Sequence, residues 1–456
     1  MAITVDLDIV RKYDRPGPRY TSYPTAPHFK EGFEEREWSA LIGENNLSGE
    51  RPLSLYFHFP FCDTLCWFCG CTMLVSRRRD QIETYLQTLF DEIELLSPML
   101  HEDRRVVQMH FGGGTPTHLD PDQLVRVGDK IRSRFRFAPD AEIACEMDPR
   151  GLTREHLHAL RQFGANRASL GIQDFKPEVQ KAVNRVHDEA LVGQVIDWIR
   201  AEGFESLNLD LIYGLPFQTP ESFEETIETV LSFSPDRLAV FSYAHVPWLK
   251  PHQKLIREED MPSPKQKLAM LKLVIEMLTQ RGYVYIGMDH FARENDELFV
   301  AQKEGMLQRN FQGYSTKAGA DIYALGMSSI SQLETAYAQN FKNLKDHHTS
   351  VRAGHFPVYR GYVLSEDDRI RRHVIMRLMC DMGLDFRRID TELGIDSEAY
   401  FRDELDDLEE LEEDGLLERT SEGLLVTETG RLLVRNIAMK FDAYLETSQA
   451  RYSKTV

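Results

Sequence analysis

The chain has 456 residues, 42% hydrophobic and 28% charged, with a net charge of −19 at pH 7, the profile of a globular protein long enough for one large domain plus smaller appendages. The acidic excess argues against a nucleic-acid partner, which needs basic patches to neutralise phosphate. No apolar run reaches the roughly 18 residues of a membrane span, and the N-terminus lacks the basic start and apolar stretch of a signal peptide, so a cytoplasmic protein without membrane contact is expected.

Residues 1–50 read as an N-terminal arm. Prolines at 16, 18, 24 and 27 exclude a helix over 17–25 and predict an extended run. The plain reading is a covering segment; the functional one has Arg19 and Tyr20 offering a guanidinium and a phenol to a carboxylate or ring. An apolar strand over 53–59 then delivers Cys62, Cys66, Cys69 and Cys71, four of the chain's six cysteines. The C-x3-C-x2-C spacing argues for an iron-sulfur cluster over a zinc site, whose common pattern is C-x2-C with a second ligand pair. Three ligands leave one iron open. Tyr56 and Phe68 flank the loop, as core residues or as cover for a nucleoside. The triplet Arg77-Arg78-Arg79 reads as a solvated face; docking of an acidic electron donor or attraction of an anionic substrate are its other uses. Residues 85–96 have helical periodicity.

A strand over 106–111 runs into Gly112-Gly113-Gly114-Thr115-Pro116-Thr117, where glycines permit close backbone approach to a ligand. Strands over 141–147, 167–173, 207–214 and 237–244 alternate with helices over 153–163, 188–202, 220–232 and 264–281, and a further strand starts at 283. This order predicts a parallel sheet, closed or partly closed into a barrel. Glu146, Gln173, Asp210 and His290 fall near strand ends and are expected to converge on one mouth. Glu146 and Asp210 suit an amino group or ribose hydroxyl, and Arg185 a carboxylate. The barrel with its closing segment is assigned to 51–352. Residues 353–456 form a C-terminal unit, with helices over 369–382 and 398–414 and then a hairpin. Its acidic run from Asp403 to Asp414 fits a lid or packing domain.

The loop CDTLCWFCGC strongly resembles that of the radical S-adenosylmethionine (SAM) enzymes. Together with GPRYTSYPTA (17–26), GGGTPT (112–117), GIQDF (171–175), NLDLIYGLP (208–216), GMDHFA (287–292) and NFQGY (310–314), it makes nearly the whole chain resemble the oxygen-independent coproporphyrinogen III oxidase family. The resemblance implies an incomplete (β/α)6-type barrel with an N-terminal arm and a mainly helical, winged-helix-like C-terminal domain. It makes Cys62, Cys66 and Cys69 ligands of a 4Fe-4S cluster. Tyr56, Phe68, Gly113, Gly114, Thr115, Glu146, Gln173, Arg185, Asp210, Ala244 and Ile330 become SAM contacts, shared between two SAM molecules per chain. Cys71, Tyr20 and Arg19 are the candidate catalytic residues, the last two at the substrate end; Cys71 has a redox or hydrogen-donor role or merely packs. The implied reaction cleaves SAM with one electron, removes a hydrogen from the β-carbon of a propionate and releases CO2. Done twice, it converts coproporphyrinogen III to protoporphyrinogen IX. The implied partners are that tetrapyrrole and a reductant such as flavodoxin or ferredoxin, and a monomer is expected. Trp67 and His187 depart from the family pattern, which has tyrosine and glutamine there. The rivals are a radical SAM relative acting on haem and a non-catalytic cluster or zinc scaffold.

Overall fold

A computed structural model of the chain describes residues 3–445. Its central feature is a run of parallel strands: β1 Leu53–Phe59, β2 Val106–Gly113, β3 Phe137–Met147, β4 Arg167–Gln173, β5 Ser206–Tyr213 and β6 Arg237–Ser242. These pair in sequence order, each with the next. Asp321–Leu325 adds a seventh parallel strand beside β1. Antiparallel strands extend both sides into one thirteen-stranded sheet among the described residues, so the barrel is incomplete.

Strand alternation sorts the residues onto two faces. On one face Leu55, Phe57, Met109, Phe111, Ile143, Leu170, Leu209 and Val240 are buried under the helices in the main hydrophobic core. The other face points inward and is polar: Ser54, Tyr56 and His58 on β1; Gln108 and His110 on β2; Glu142 and Glu146 on β3; Ser169 and Gln173 on β4; Asn208 and Asp210 on β5. Near the strand starts these inward groups pair across the sheet. Ser54 donates to Gln108 at 3.1 Å, Gln108 to Glu142 at 2.9 Å, and Arg167 pairs with Glu142 at 2.8 Å. Near the strand ends they are left for the site.

The expected elements recur with four differences. The strand starting at Tyr283 is a hairpin, Tyr283–Gly287 against His290–Arg293, antiparallel to itself and to β6, because Met288 takes a positive φ of 55° at the turn. The helix expected over 398–414 is three short pieces, Ser397–Tyr400, Arg402–Asp406 and Glu409–Glu413; such a run of like charges at helical spacing weakens a continuous helix. The arm has no helix over 17–25 but carries a 3-10 turn at Ala26–His28, which includes Pro27, and helices Leu7–Tyr13 and Glu35–Asn45 on either side. The main sheet also takes in Val358–Val363, past the boundary expected at 352. After it come helix Glu366–Asp381 and a three-stranded sheet of Gly383–Asp385, Leu417–Thr420 and Gly423–Val426. Residues 446–456 of the expected C-terminal unit lie outside the described residues. No helix among the described residues is long and apolar enough to cross a membrane.

The arm straps these parts together. Ile3 and Val5 donate their N–H groups to Thr279 and Glu276 of the barrel, while Tyr13, Tyr20 and Tyr23 sit in the core of the C-terminal unit. At the strand starts, Arg104 and Asp321 form a fully buried ion pair. Asp321 also accepts from Asn45 at 2.8 Å and Arg51 at 3.2 Å. Removing one partner leaves a buried charge without compensation, which costs about 3–5 kcal/mol. Asp321→Ala should therefore lower the unfolding free energy by about that amount, measured by urea titration; a loss below about 1 kcal/mol, the scale of an exposed pair, would contradict this reading.

Candidate active site

The strand ends open on a cavity of about 580 Å³. The cysteine loop forms one wall. It leaves β1 through Pro60, and its entry strand Phe61–Cys62 pairs with its exit strand Leu74–Val75, so the cysteines ride on a closed excursion. Gly114 N–H donates to Phe59 O and Thr115 N–H to Phe61 O, both at 2.8 Å, stitching the glycine turn to the loop's base. A Cβ at Gly114 would meet the Pro60 backbone carbon and oxygen at 2.7 Å. Only glycine permits this approach.

Cys62, Cys66, Cys69 and Cys71 all line the cavity. Cys66 is buried and accepts from Arg150 at 3.4 Å and Arg185 at 3.5 Å. Asp148 lies between these guanidiniums, 2.7 Å from one and 2.8 Å from the other. A hydrogen bond from the Cys71 thiol brings Cys69 down to about 6 against its burial, with Lys250 and His252 adding to the shift. Burial pushes the Cys62 thiol up to about 11, with Thr115 pulling the other way through a hydrogen bond. Three thiols of the C-x3-C-x2-C loop around one cavity suit a polynuclear cluster.

The remaining walls carry the inward polar residues. Glu146 accepts from His110 Nε2 at 3.0 Å and Gly113 N–H at 3.2 Å. Burial opposes its ionisation, yet these contacts hold it below the ordinary carboxylate range. Asp210 differs: burial raises it to about 7, although Asn208 donates to it at 2.7 Å and Ser169 at 3.4 Å. Gln173 Oε1 and Arg185 Nε are buried polar atoms without a partner, in residues that line the cavity. Such atoms are costly unless a ligand meets them. The cavity therefore presents thiols, anionic carboxylates and free donor and acceptor positions side by side, the set that a cluster-bound amino acid with a nucleoside requires.

Of the residues singled out from sequence, Phe68, Gly114, Thr115, Glu146, Gln173, Arg185 and Asp210 line this cavity with the cysteines. Gly113 lies just behind it, with φ 114°. Tyr56 stacks on His110 at 5.9 Å and donates to His58 at 3.1 Å, inside the barrel. Ala244 follows β6, with its carbonyl 3.4 Å from Gln253 Nε2. Ile330 packs with Phe29, Tyr337 and Leu364 beside the closing strands. Arg19 pairs with Asp289, and Tyr20, fully buried, donates to Asp442 at 2.9 Å. His290 does not join the mouth. Its strand runs antiparallel, and its ring packs edge-on to Tyr314 and Phe241.

Two family models match: the Radical SAM superfamily over residues 56–230 and the HemN C-terminal domain over 364–433. A protein of Salmonella typhimurium called oxygen-independent coproporphyrinogen III oxidase is 48% identical over 96% of this chain and 95% of its own length. One of Helicobacter pylori with the same name is 44% identical over 99% of this chain and all of its own. The chain belongs to the oxygen-independent coproporphyrinogen III oxidase family. A solved structure, described as coproporphyrinogen III oxidase (HemN) from Escherichia coli, a radical SAM enzyme, superposes with a TM-score of 0.93 over 98% of this chain and all of that one, at 46% identity.

Against this family background, His187 and Trp67 keep structural places. His187 is buried, with Nε2 donating to Ile172 O at 3.0 Å, and Trp67 N–H donates to Val183 O at 2.9 Å. Sequence reasoning missed a brace on the outside of the loop: Lys250, His252 and Gln253 donate to the carbonyls of Cys71, Cys69 and Phe68 at 2.8–2.9 Å. Nothing in the local sequence of 245–256 signals that contact. Asp148 and Arg150 were missed as well, although their signal, an acid and a base just past the end of β3, stands in the local sequence.

Gly114→Ala should displace the loop from the turn, since overpacking against backbone cannot relax by a rotamer change. The expected outcome is a folded protein with iron and sulfide content well under half that of the parent and SAM affinity reduced about tenfold or more. Parent-like cluster content and affinity would contradict the close-approach account.

Proposed function

We propose that this chain removes two propionate carboxylates of coproporphyrinogen III as CO2, giving the two vinyl groups of protoporphyrinogen IX. The observation that carries the proposal is the cavity at the strand ends, where the C-x3-C-x2-C thiols face partnerless Gln173 and Arg185 atoms in a chain that matches its family over nearly full length. Each turnover takes a hydrogen atom from the propionate β-carbon, breaks the bond to the carboxylate carbon and passes one electron onward.

Cys62, Cys66 and Cys69 would hold a 4Fe-4S cluster, which with bound SAM supplies a one-electron cleavage and a hydrogen-abstracting radical. The chain's own residues bind and orient. Arg185 suits the carboxylate of SAM and Asp210 its ribose or amino group. Gly114 and Thr115 let backbone approach the ligand, and Phe68 can cover a ring. Arg150 and Arg185, held by Asp148, keep positive charge against the Cys66 sulfur. We read Cys71 as a hydrogen donor and not as a cluster ligand, because its thiol lines the cavity beside Cys69. Tyr56, Gly113, Ala244 and Ile330 do not line this cavity, and the SAM contacts are divided between two SAM molecules per chain. Arg19 serves the substrate end through its pairing with Asp289, and Tyr20 positions the arm that carries it. A one-electron reductant such as flavodoxin or ferredoxin would dock near the loop, where Arg79 is exposed while Arg77 and Arg78 are already paired with Asp63 and Asp80. A cytoplasmic monomer fits these features.

With deuterium at the propionate β-carbons, label should pass into 5′-deoxyadenosine in step with CO2 release. SAM cleavage without label transfer would move the activity to another substrate. A pH dependence follows from Asp210, which is ionised above about 7 in the free protein and protonated below it. Because a ligand hydroxyl or ammonium donates to the ionised form, SAM affinity should be level above pH 7 and fall about tenfold per unit below it. Asp210→Asn should flatten that profile; an unchanged slope would exclude Asp210 as the titrating group.

A further inference from the structure

A second cavity, of about 270 Å³, lies at the opposite end of the barrel and shares no lining residue with the first. One wall is Gln308, Arg309, Asp321 and Glu334 of the barrel's closing segment, with Arg51 beside them. The other is Arg369, Arg372, His373 and Arg377 of helix Glu366–Asp381, together with Arg388 and Glu392 of the C-terminal unit. Six arginines thus face three carboxylates in a chain whose net charge is −19.

The three carboxylates are already committed. Asp321 is shared by Arg104 and Arg51, Glu334 pairs with Arg51, and Glu392 pairs with Arg388. Arg309, Arg369 and Arg372 have no carboxylate partner among the described residues. Arg372 donates to the carbonyls of Leu333 and Glu334 at 3.2 and 2.6 Å, and Arg377 to those of Gly305 and Leu307 at 2.9 and 2.7 Å. These bonds clamp the two units together; Arg377 is also paired with Asp381 at 3.0 Å, but Arg372 donates only to carbonyls, which do not neutralise its charge. Arg309, 4% exposed, donates from Nε to the Arg19 carbonyl at 3.3 Å and lies over the Tyr314 ring at 4.7 Å, but its Nη1 is buried without a hydrogen-bond partner. The local field is visible at His373, which burial and then Arg377, Arg388 and Arg372 push down to about 4 against the pull of Glu392.

We propose that this seam is a binding site for a compact polyanion, a small molecule bearing phosphate or several carboxylates, which bridges barrel and C-terminal unit. Guanidinium forks match both groups bidentately, and charge-assisted bonds of this kind are the strong ones. The volume falls just below the range of about 300–1,000 Å³ usual for drug-sized ligands, which excludes a tetrapyrrole and favours a compact anion. Since the ligand touches both units, its binding also stabilises their docking.

The test is isothermal titration and thermal unfolding of the full cluster-loaded chain with inorganic pyrophosphate and, separately, citrate, against sodium chloride at matched ionic strength. One saturable site per chain is expected, with a rise in Tm that the chloride control lacks. Binding of pyrophosphate alone would assign a phosphate ligand, and of citrate alone a polycarboxylate. Arg369→Glu changes an exposed residue and should weaken binding about tenfold or more while leaving SAM cleavage unchanged. Absence of saturable binding by either probe, or equal binding by the parent and Arg369→Glu, would overturn the proposal.

Discussion

The site depends on how closely two backbones meet. The glycine turn after β2 lies against the base of the cysteine loop after β1, with Gly114 and Thr115 donating to Phe59 and Phe61. That contact fixes where three thiols sit relative to the carboxylates of β3 and β5. Because these bonds link backbone to backbone, the loop's position is set by the register of the parallel sheet and not by side-chain rotamers. Lys250, His252 and Gln253 then hold the loop from outside through its carbonyls, so a segment with no secondary structure of its own over residues 63–73 is held from two sides.

The barrel inverts the usual arrangement in which the strands' inner face is a packed apolar core. Here the apolar face of each strand turns outward to the helices, and the polar face lines the lumen. At the closed end those polar groups neutralise one another in the Ser54–Gln108–Glu142–Arg167 chain. Toward the mouth, Gln173 and Arg185 keep partnerless atoms and Asp210 is held near neutrality. Buried polar groups that do not satisfy one another stay available to a ligand, at a cost in folding free energy that the large outer core offsets.

Much of this was legible in the chain. Strands alternate with helices at lengths that periodicity detects, and the inward residues Glu146, Gln173 and Asp210 announce themselves as polar groups near the ends of apolar strands. The cysteine spacing carries its own chemistry. What escaped was set by tertiary contact. His290 lies near a strand end in sequence, yet the chain reverses at Met288, and antiparallel pairing takes it away from the mouth. Tyr20 looks like a group offered to a ligand, but its ring fills the core of the C-terminal unit and its hydroxyl is spent on Asp442. The arginines of the second cavity are scattered from 51 to 388, and only the docking of helix Glu366–Asp381 brings them together.

The central claim is that the mouth of this barrel directs radical chemistry onto tetrapyrrole propionates. It is tested most directly by incubating the reconstituted, reduced protein anaerobically with SAM and coproporphyrinogen III and following the tetrapyrrole by mass. The account predicts stepwise loss of two CO2 units, through a monovinyl intermediate, with matching 5′-deoxyadenosine. An unaltered tetrapyrrole in the presence of active SAM cleavage would contradict it.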